Sequence, residues 1–370
     1  MNILHLSIDY PPPVKGGLDR QVQGLCQALV QGHGVAVVCG SEPGMDGAVR
    51  IHGVRHLIDR LPTRDLTALA KANLAIGAAA TRILGEEAWD VVHVHDWMLA
   101  PAAVMLREQV PIPIVAQFHA DAGAVDVGPD EARARRLEWE QALVRSAGAV
   151  VACGAHLARA IAERYPDALV RHIPNGVSIP QPDGYSEPRG SGQFLFVGRL
   201  VPYKGCQDAI LAVARLRDER PDVRLTIAGD GFYRPQLEHL VRDLGLESSV
   251  ELLGWQRDEQ LAALYRSCTA LVVPSHEEAF GLVAVEAMVH RLPVIASALP
   301  TFRDMIADRE TGLLVDVGDV DGLVRAMAEV LADDAMRERV GRAAYAMVRD
   351  RYGWARVVAD LDEVYGRLVG

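Results

Sequence analysis

Four charged side chains in the second half of the chain could handle an extended anion. Arg199 and Lys204 lie in Gly198-Arg199-Leu200-Val201-Pro202-Tyr203-Lys204-Gly205, and Glu278 and Glu286 lie in the run from Pro274 to Met288. Two cations leaving one loop suit a departing diphosphate, whose terminal phosphate gains charge as the bond to it breaks. The glutamates are eight positions apart, which on a continuous helix means about 12 Å of rise and about 80° of rotation. They cannot easily grip one atom, whereas glycoside-cleaving carboxylates stand roughly 5 to 9.5 Å apart across one bond. Two different groups on one long ligand fit better, and a nucleotide sugar has hydroxyls at its sugar end and its ribose end.

Each residue also has an ordinary reading. A glutamate pair is commonly two solvated helix charges, and a lone Arg or Lys on a loop is commonly hydrated. Context favours a site at Glu286, because Phe280, Leu282, Val283, Val285, Ala287 and Met288 surround it with apolar surface and its charge then needs a partner.

The elements that would position these residues follow from periodicity. Ala270 to Val273 reads as a buried strand, Pro274-Ser275 ends it, and a helix starts from Ala279. Glu278 then sits at a strand-to-helix turn, where unpaired backbone N–H groups meet an anion, and Gly281 presents no side chain to keep it away. Gln193 to Val197 reads as a strand running into the Arg199–Lys204 loop, and two cations there converge where a parallel sheet takes its ligand. Val223 to Ala228 is a further strand before Gly229-Asp230-Gly231, which lacks the third glycine of a dinucleotide fingerprint. Val250 to Leu253 leads into Gly254-Trp255-Gln256, with Trp255 either beside a nucleobase or in the core.

The first half shows the same alternation. Strand patterns at Ile3 to Ile8, Gly34 to Cys39, Asp90 to Val94, Ile112 to Gln117 and Ala147 to Ala152 are separated by helical patterns such as Leu18 to Val30, Leu66 to Leu84 and Glu131 to Arg145. This implies an α/β chain with parallel sheets covered on both faces and ligands at the carboxyl ends of the strands. Gly16-Gly17 ahead of a helix would let backbone approach a diphosphate closely, or would simply turn the chain after three prolines. His93 and His95 alternate on a strand and share a face; with no convincing third ligand in sequence they read as structural histidines, and no metal site is expected. Asp96 is a good N-cap for the helix that follows. His119, in Gln117-Phe118-His119-Ala120-Asp121, follows a strand and reads as a core or capping residue or as a ligand contact.

At 370 residues the chain suits two domains, and with half of it hydrophobic, burial is not limiting. A net charge of −11 argues against nucleic acid or an anionic membrane as the main partner. Five dispersed cysteines without a Cys-x-x-Cys read as reduced, buried thiols and point to the cytoplasm. No signal peptide and no window of ~20 apolar residues is seen, so no integral membrane association is expected.

Glu278, seven intervening residues and Glu286, followed by Pro293-Val294-Ile295-Ala296, resemble the signature of the retaining glycosyltransferases of family 4. Gly198-Arg199-Leu200 with Lys204-Gly205, and the hinge-like Pro174-Asn175-Gly176-Val177, are similar to that family as well, and the likeness covers nearly the whole chain. The resemblance implies the GT-B fold: two Rossmann-like doubly wound parallel-sheet domains facing a central cleft, with a C-terminal helix crossing back to the first. The expected boundaries are 1–175 for an acceptor-binding domain, 176–192 for a linker rich in Pro, Gly and Ser, 193–350 for a nucleotide-sugar domain and 351–370 for the last helix.

By resemblance, Arg199 and Lys204 stabilise the leaving diphosphate, while Glu278 and His119 hold the donor sugar. Glu286 binds the ribose. Gly16, Gly17, Gly198, Trp255, Phe280, Gly281, Leu282 and Val283 line the donor, and Asp96, Trp97 and Asp121 border the acceptor side. The expected reaction is retaining transfer from a nucleoside diphosphate sugar, UDP favoured, to a hydroxyl of a small-molecule or glycan acceptor. No metal or other cofactor is expected, because the two cations take the place of one. A homodimer is left open. Ser297 to Phe302, where many members carry a glycine pair, and His290-Arg291-Leu292, in place of a common Cys-Gly-Thr, depart from the pattern and leave the subfamily open. A sugar-nucleotide epimerase on the same fold and a non-catalytic nucleotide-sugar-binding module are the alternatives.

Overall fold

The apolar runs form two mainly parallel sheets, in a computed structural model that describes residues 1–12, 16–54, 66–123, 130–180 and 192–370. The chain divides into two units, Met1–Ser178 with Gly353–Gly370, and Ile179–Tyr352. Most of the expected linker lies outside the described residues.

The strands of the first unit are β1 (Asn2–Leu6), β2 (Gly34–Cys39), β3 (Gly44–Asp46), β4 (Val49–Gly53), β5 (Val91–His95), β6 (Ile114–Phe118), β7 (Ala149–Ala152) and β8 (Val170–His172). Between them run α1 (Gly17–Leu29), α2 (Leu66–Glu86), α3 (Ala100–Gln109), α4 (Asp130–Ser146) and α5 (Ala155–Arg164). The sheet order is β3-β4-β2-β1-β5-β6-β7-β8, parallel except for the β3–β4 pair. The order reverses between β1 and β5, so the crevice at their carboxyl ends is this sheet's switch point.

The second unit comprises β9 (Gln193–Val197), α6 (Cys206–Leu216), β10 (Arg224–Ala228), α7 (Arg234–Asp243), β11 (Val250–Gly254), α8 (Asp258–Ser267), β12 (Ala270–Val273), α9 (Leu282–Val289), β13 (Val294–Ser297), α10 (Pro300–Met305), β14 (Leu313–Val315), α11 (Val320–Ala332) and α12 (Asp334–Tyr352). Its sheet is parallel throughout, in the order β11-β10-β9-β12-β13-β14. The switch point falls between β9 and β12, the two strands that carry Arg199–Lys204 and Glu278 at their carboxyl ends.

The last helix, α13 (Trp354–Val369), belongs to the first unit. Its Val357, Leu361, Val364 and Tyr365 are buried with Val22, Leu25 and Leu29 of α1 and with Ile3, Val91 and Val115 of the sheet. Trp354 fills the space left by two missing side chains. A Cβ on Gly24 would stand 2.4 Å from its ring and one on Gly176 2.1 Å from it, so both positions require glycine.

The pattern of buried and exposed residues explains most boundaries. The helix expected from Ala279 instead begins at Leu282, because Gly281 adopts φ 83° and breaks the helical path before it. Glu278 therefore lies in a loop, and the estimate of rise and rotation between the two glutamates on a continuous helix does not apply. β3, β4 and β8 had no clear sequence signal: each is short, and β3 and β8 are half-buried or exposed.

Candidate active site

Two loops at the switch point of the second sheet are locked backbone to backbone. Gly205 sits at φ 70°, and a Cβ there would lie 1.9 Å from the carbonyl oxygen of Pro274. The His276 N–H donates to the Tyr203 carbonyl at 2.7 Å, and His276 Nε2 pairs with Asp208 Oδ2 at 2.7 Å. This contact brings Lys204 Nζ to 2.7 Å from Glu278 Oε2, with 17% and 11% of the two side chains exposed. Ser275 Oγ donates to the same oxygen at 3.4 Å, and Thr301 Oγ1 donates to the Glu278 carbonyl at 2.7 Å. Arg199 is exposed; its guanidinium donates to the Tyr203 hydroxyl at 2.7 Å and lies 5.9 Å from that ring's centroid. Lys204 Nζ is also 5.9 Å from the ring centroid, so one tyrosine spaces both cations.

Behind Glu278, α9 starts at Leu282 with Gly281 as its N-cap and no side-chain cap, which leaves its first amides, at Leu282 and Val283, pointing toward the loop. A Cβ on Gly281 would meet Phe302 at 2.4 Å. Glu286 is half-buried one turn on and accepts from the Tyr265 hydroxyl at 3.0 Å, which supplies the partner its apolar surroundings demanded. Phe280 is buried against Tyr352, 6.0 Å between centroids, and so shapes the loop from beneath. Gly198 donates its N–H to the Ala228 carbonyl at 3.0 Å, and a Cβ on the neighbouring Gly229 would stand 1.9 Å from the Gly198 carbonyl oxygen. Trp255 follows edge strand β11 and is 59% exposed, so it is not a core residue of its unit. Phe232, 70% exposed after β10, is a second bare aromatic that had no sequence signal.

In the first unit, Gly16 and Gly17 open α1 without a side-chain cap. Asp96 stands at the switch point between β1 and β5 with φ 73° and ψ 157°, a region that non-glycine residues occupy only under constraint. Its Oδ1 accepts from the Trp97 N–H at 2.8 Å, while burial raises its carboxyl to about 7. Trp97 is buried beside Trp139, and Asp121 is committed to Arg164 at 3.2 Å and to the Gly123 N–H at 2.7 Å. His119 is buried, with Nε2 3.3 Å from His95 Nδ1. His5, unremarked in sequence, completes a group with His93 and His95 whose nitrogens lie within 4.8 Å of one another. His5 Nδ1 and His95 Nε2 already hydrogen-bond at 3.0 Å, and an ion would have to break that bond to collect three ligands.

The two sheets, with switch points of this kind, define a GT-B glycosyltransferase. Among solved structures, sucrose-phosphate synthase from Thermosynechococcus elongatus superposes with a TM-score of 0.86 at 25% identity, covering 99% of this chain and 98% of that one. Anabaena HepE, solved in complex with UDP and glucose, gives 0.80 at 20% identity, with 100% of both chains covered, and shows the fold alone. The family described as Glycosyltransferase Family 4 matches residues 15–180, and Glycosyl transferases group 1 matches 181–347. Glycogen synthase of Mycobacterium tuberculosis is 32% identical across 99% of this chain and 94% of its own length. D-inositol 3-phosphate glycosyltransferase of Corynebacterium aurimucosum is 32% identical across 75% and 71%. The chain belongs to the family 4 glycosyltransferases. No helix among the described residues is long and apolar enough to cross a membrane.

Proposed function

We propose that the enzyme is a metal-independent, retaining transferase that moves a sugar from a nucleoside diphosphate sugar, UDP being the favoured nucleotide, to a hydroxyl of a soluble acceptor in the cytoplasm. The reading is carried by the meeting of Lys204 and Glu278 at 2.7 Å across the switch point, with the uncapped start of α9 behind them. A diphosphate at this place meets Lys204, Arg199 and a helix N-terminus, which together supply the positive charge a metal ion would otherwise bring. As the C1–O bond breaks, its electron pair stays on the diphosphate. The acceptor oxygen bonds to C1 from the same face and passes its proton to the departing phosphate, so the configuration is kept.

Glu278 holds sugar hydroxyls and Glu286, steadied by Tyr265, holds the ribose. Trp255 offers its exposed ring to the base. Gly16, Gly17, His119, Asp96 and the carboxylate of Asp121 keep the roles the family resemblance implies, while Trp97, buried beside Trp139, supports Asp96 from within. Thermal-shift measurements with UDP, GDP and ADP sugars, followed by transfer assays with EDTA present and NMR of the product's anomeric centre, test the proposal. Stabilisation by one donor and an unchanged anomeric configuration are expected. Inverted product, or activity abolished by EDTA and restored by a divalent cation, would overturn it. Conversion of donor with no acceptor present would make the enzyme an epimerase, and binding without turnover would make it a binding module.

A further inference from the structure

The face of the first sheet beneath α1 and α13 changes character along its strands. Ile3, Val91 and Val115 pack in the apolar core, and toward the carboxyl ends the same face carries His5, His93, His95 and Gln117, with His119 beyond. The register sets His5 beside His93 and His95 beside Gln117. All of these side chains are buried. His5 Nδ1 lies 3.0 Å from His95 Nε2, and His95 Nδ1 lies 3.3 Å from His119 Nε2. The ring centroids are 5.3 and 5.5 Å apart, about the nitrogen separation plus two ring radii, so these rings meet edge to edge along a line. His93 stands outside the line, with Nδ1 2.6 Å from the Tyr365 hydroxyl of α13.

Burial holds every one of these imidazoles neutral: His5 falls to about 3, His119 to about 4, and His93 and His95 lie well below the usual histidine range. A neutral imidazole has one N–H and one lone pair, so two arrangements satisfy both links. Either all three rings carry the proton on Nδ1, or all three carry it on Nε2. At one end of the line His5 Nε2 has no partner among the described residues; at the other, His119 Nδ1 and the Oδ1 of Asn175 are both unpartnered although the two residues adjoin. With protons on Nδ1, His119 donates toward the Asn175 oxygen and only a lone pair on His5 is left over. With protons on Nε2, a buried N–H on His5 is stranded and two acceptors face each other at Asn175.

We propose that His5 and His95 are positioning residues that fix His119 as its Nδ1–H tautomer, and that the three rings can exchange tautomers only together. His119 thereby donates from Nδ1 to the Asn175 oxygen and accepts at Nε2 from His95, so the carboxyl end of β6 holds an imidazole of fixed tautomer and fixed orientation rather than a ring of undefined polarity. This rests on the transferase reading only for what His119 does with the donor sugar.

Long-range 1H–15N spectra of protein labelled with 15N-histidine test it, with His119 assigned through its lost signals in His119→Gln. The wild-type spectrum is expected to show pyrrole-like Nδ1 and pyridine-like Nε2 at positions 5, 95 and 119. His5→Leu is expected to turn His95 and His119 into tautomer mixtures, although residue 5 does not bond to His119, and His5→Gln, which restores a donor to His95, is expected to return the wild-type pattern. A wild-type His119 protonated on Nε2 overturns the proposal without any variant. So does a folded His5→Leu protein whose His119 signals are unmoved. In turnover assays, His5→Leu is expected to lower kcat about tenfold at constant KM, with recovery in His5→Gln; an enzyme that proves inactive toward every donor leaves the tautomer measurement as decisive as before.

Discussion

Removing the amine of Lys204 separates its two jobs. In the folded protein it neutralises Glu278 at 2.7 Å, with only 17% and 11% of the two side chains exposed. Breaking a fully buried pair costs about 3–5 kcal/mol, and an exposed pair contributes at most about 1 kcal/mol. A pair this sheltered falls between, so Lys204→Ala should destabilise the second unit by about 2 kcal/mol. Glu278→Gln should cost a similar amount, because it strands the ammonium. The double variant loses the same interaction once, so the stability losses should fall short of additive by about 1–2 kcal/mol, readable as urea midpoints. Catalysis should behave differently. If Lys204 also faces the leaving diphosphate, its removal costs roughly 3–4 kcal/mol in the transition state, or about 10²–10³ in kcat, and repairing the ion-pair imbalance cannot restore it. Initial rates at saturating donor, corrected for the folded fraction, distinguish the two. A role for Lys204 at the diphosphate is refuted if Lys204→Ala loses no more activity than folded protein, or if adding Glu278→Gln brings the rate back.

Tyr203→Phe keeps the ring beneath Arg199 but deletes the 2.7 Å hydrogen bond, which should cost about 1 kcal/mol, or about fivefold in kcat, whereas Arg199→Ala should cost about a hundredfold; equal losses would assign the effect to the tyrosine. Gly205→Ala forces a left-handed residue and a Cβ 1.9 Å from the Pro274 oxygen, and should cost more than about 3 kcal/mol in urea unfolding; a loss under about 1 kcal/mol would refute the backbone contact. His5 and His119 bind protons more readily unfolded than folded, so their stabilisation is complete above pH 6.5 and is lost as pH falls toward 3 to 4. The full loss is roughly 4–5 and 3 kcal/mol, visible as first-unit melting at acid pH, and His5→Gln should shrink it. Asp96 has the opposite sign: its neutral form is favoured by burial, so stability drains away as pH rises from 3.8 through about 7, by at most roughly 4 kcal/mol, and Asp96→Asn should flatten that slope.

Fold class, the alternation of strands and helices and most long helices were legible because buried parallel strands are short apolar runs that periodicity exposes. The Arg199–Lys204 and Glu278 loops were each legible as the carboxyl end of a buried strand, while the adjacency of those two strands at a switch point came only with the sheet order. What periodicity could not supply was anything set by tertiary contact. The start of α9 depends on the backbone angle of Gly281, the partner of Glu286 is a tyrosine 21 residues away, and Tyr203 gains its place between two cations only once the loop folds. His5 was invisible as a polar site because a single histidine in an apolar strand has no period, and its partners His93 and His95 lie on another strand, β5, some ninety residues on. Trp97 and Asp121 illustrate the converse: both sit at strand ends where ligands bind, yet one is packed away and the other is held by Arg164.

Because α13 completes the first unit, that unit is discontinuous in sequence. During synthesis, residues 1–178 leave the ribosome with the surface of α1 and the groove beside Gly24 and Gly176 uncovered until Trp354, Leu361 and Tyr365 follow, after the entire second unit has been made. Chains truncated before Trp354 and released from the ribosome should therefore hold a finished second unit together with a sticky, protease-sensitive first one, and chaperone demand should fall only once α13 has been added.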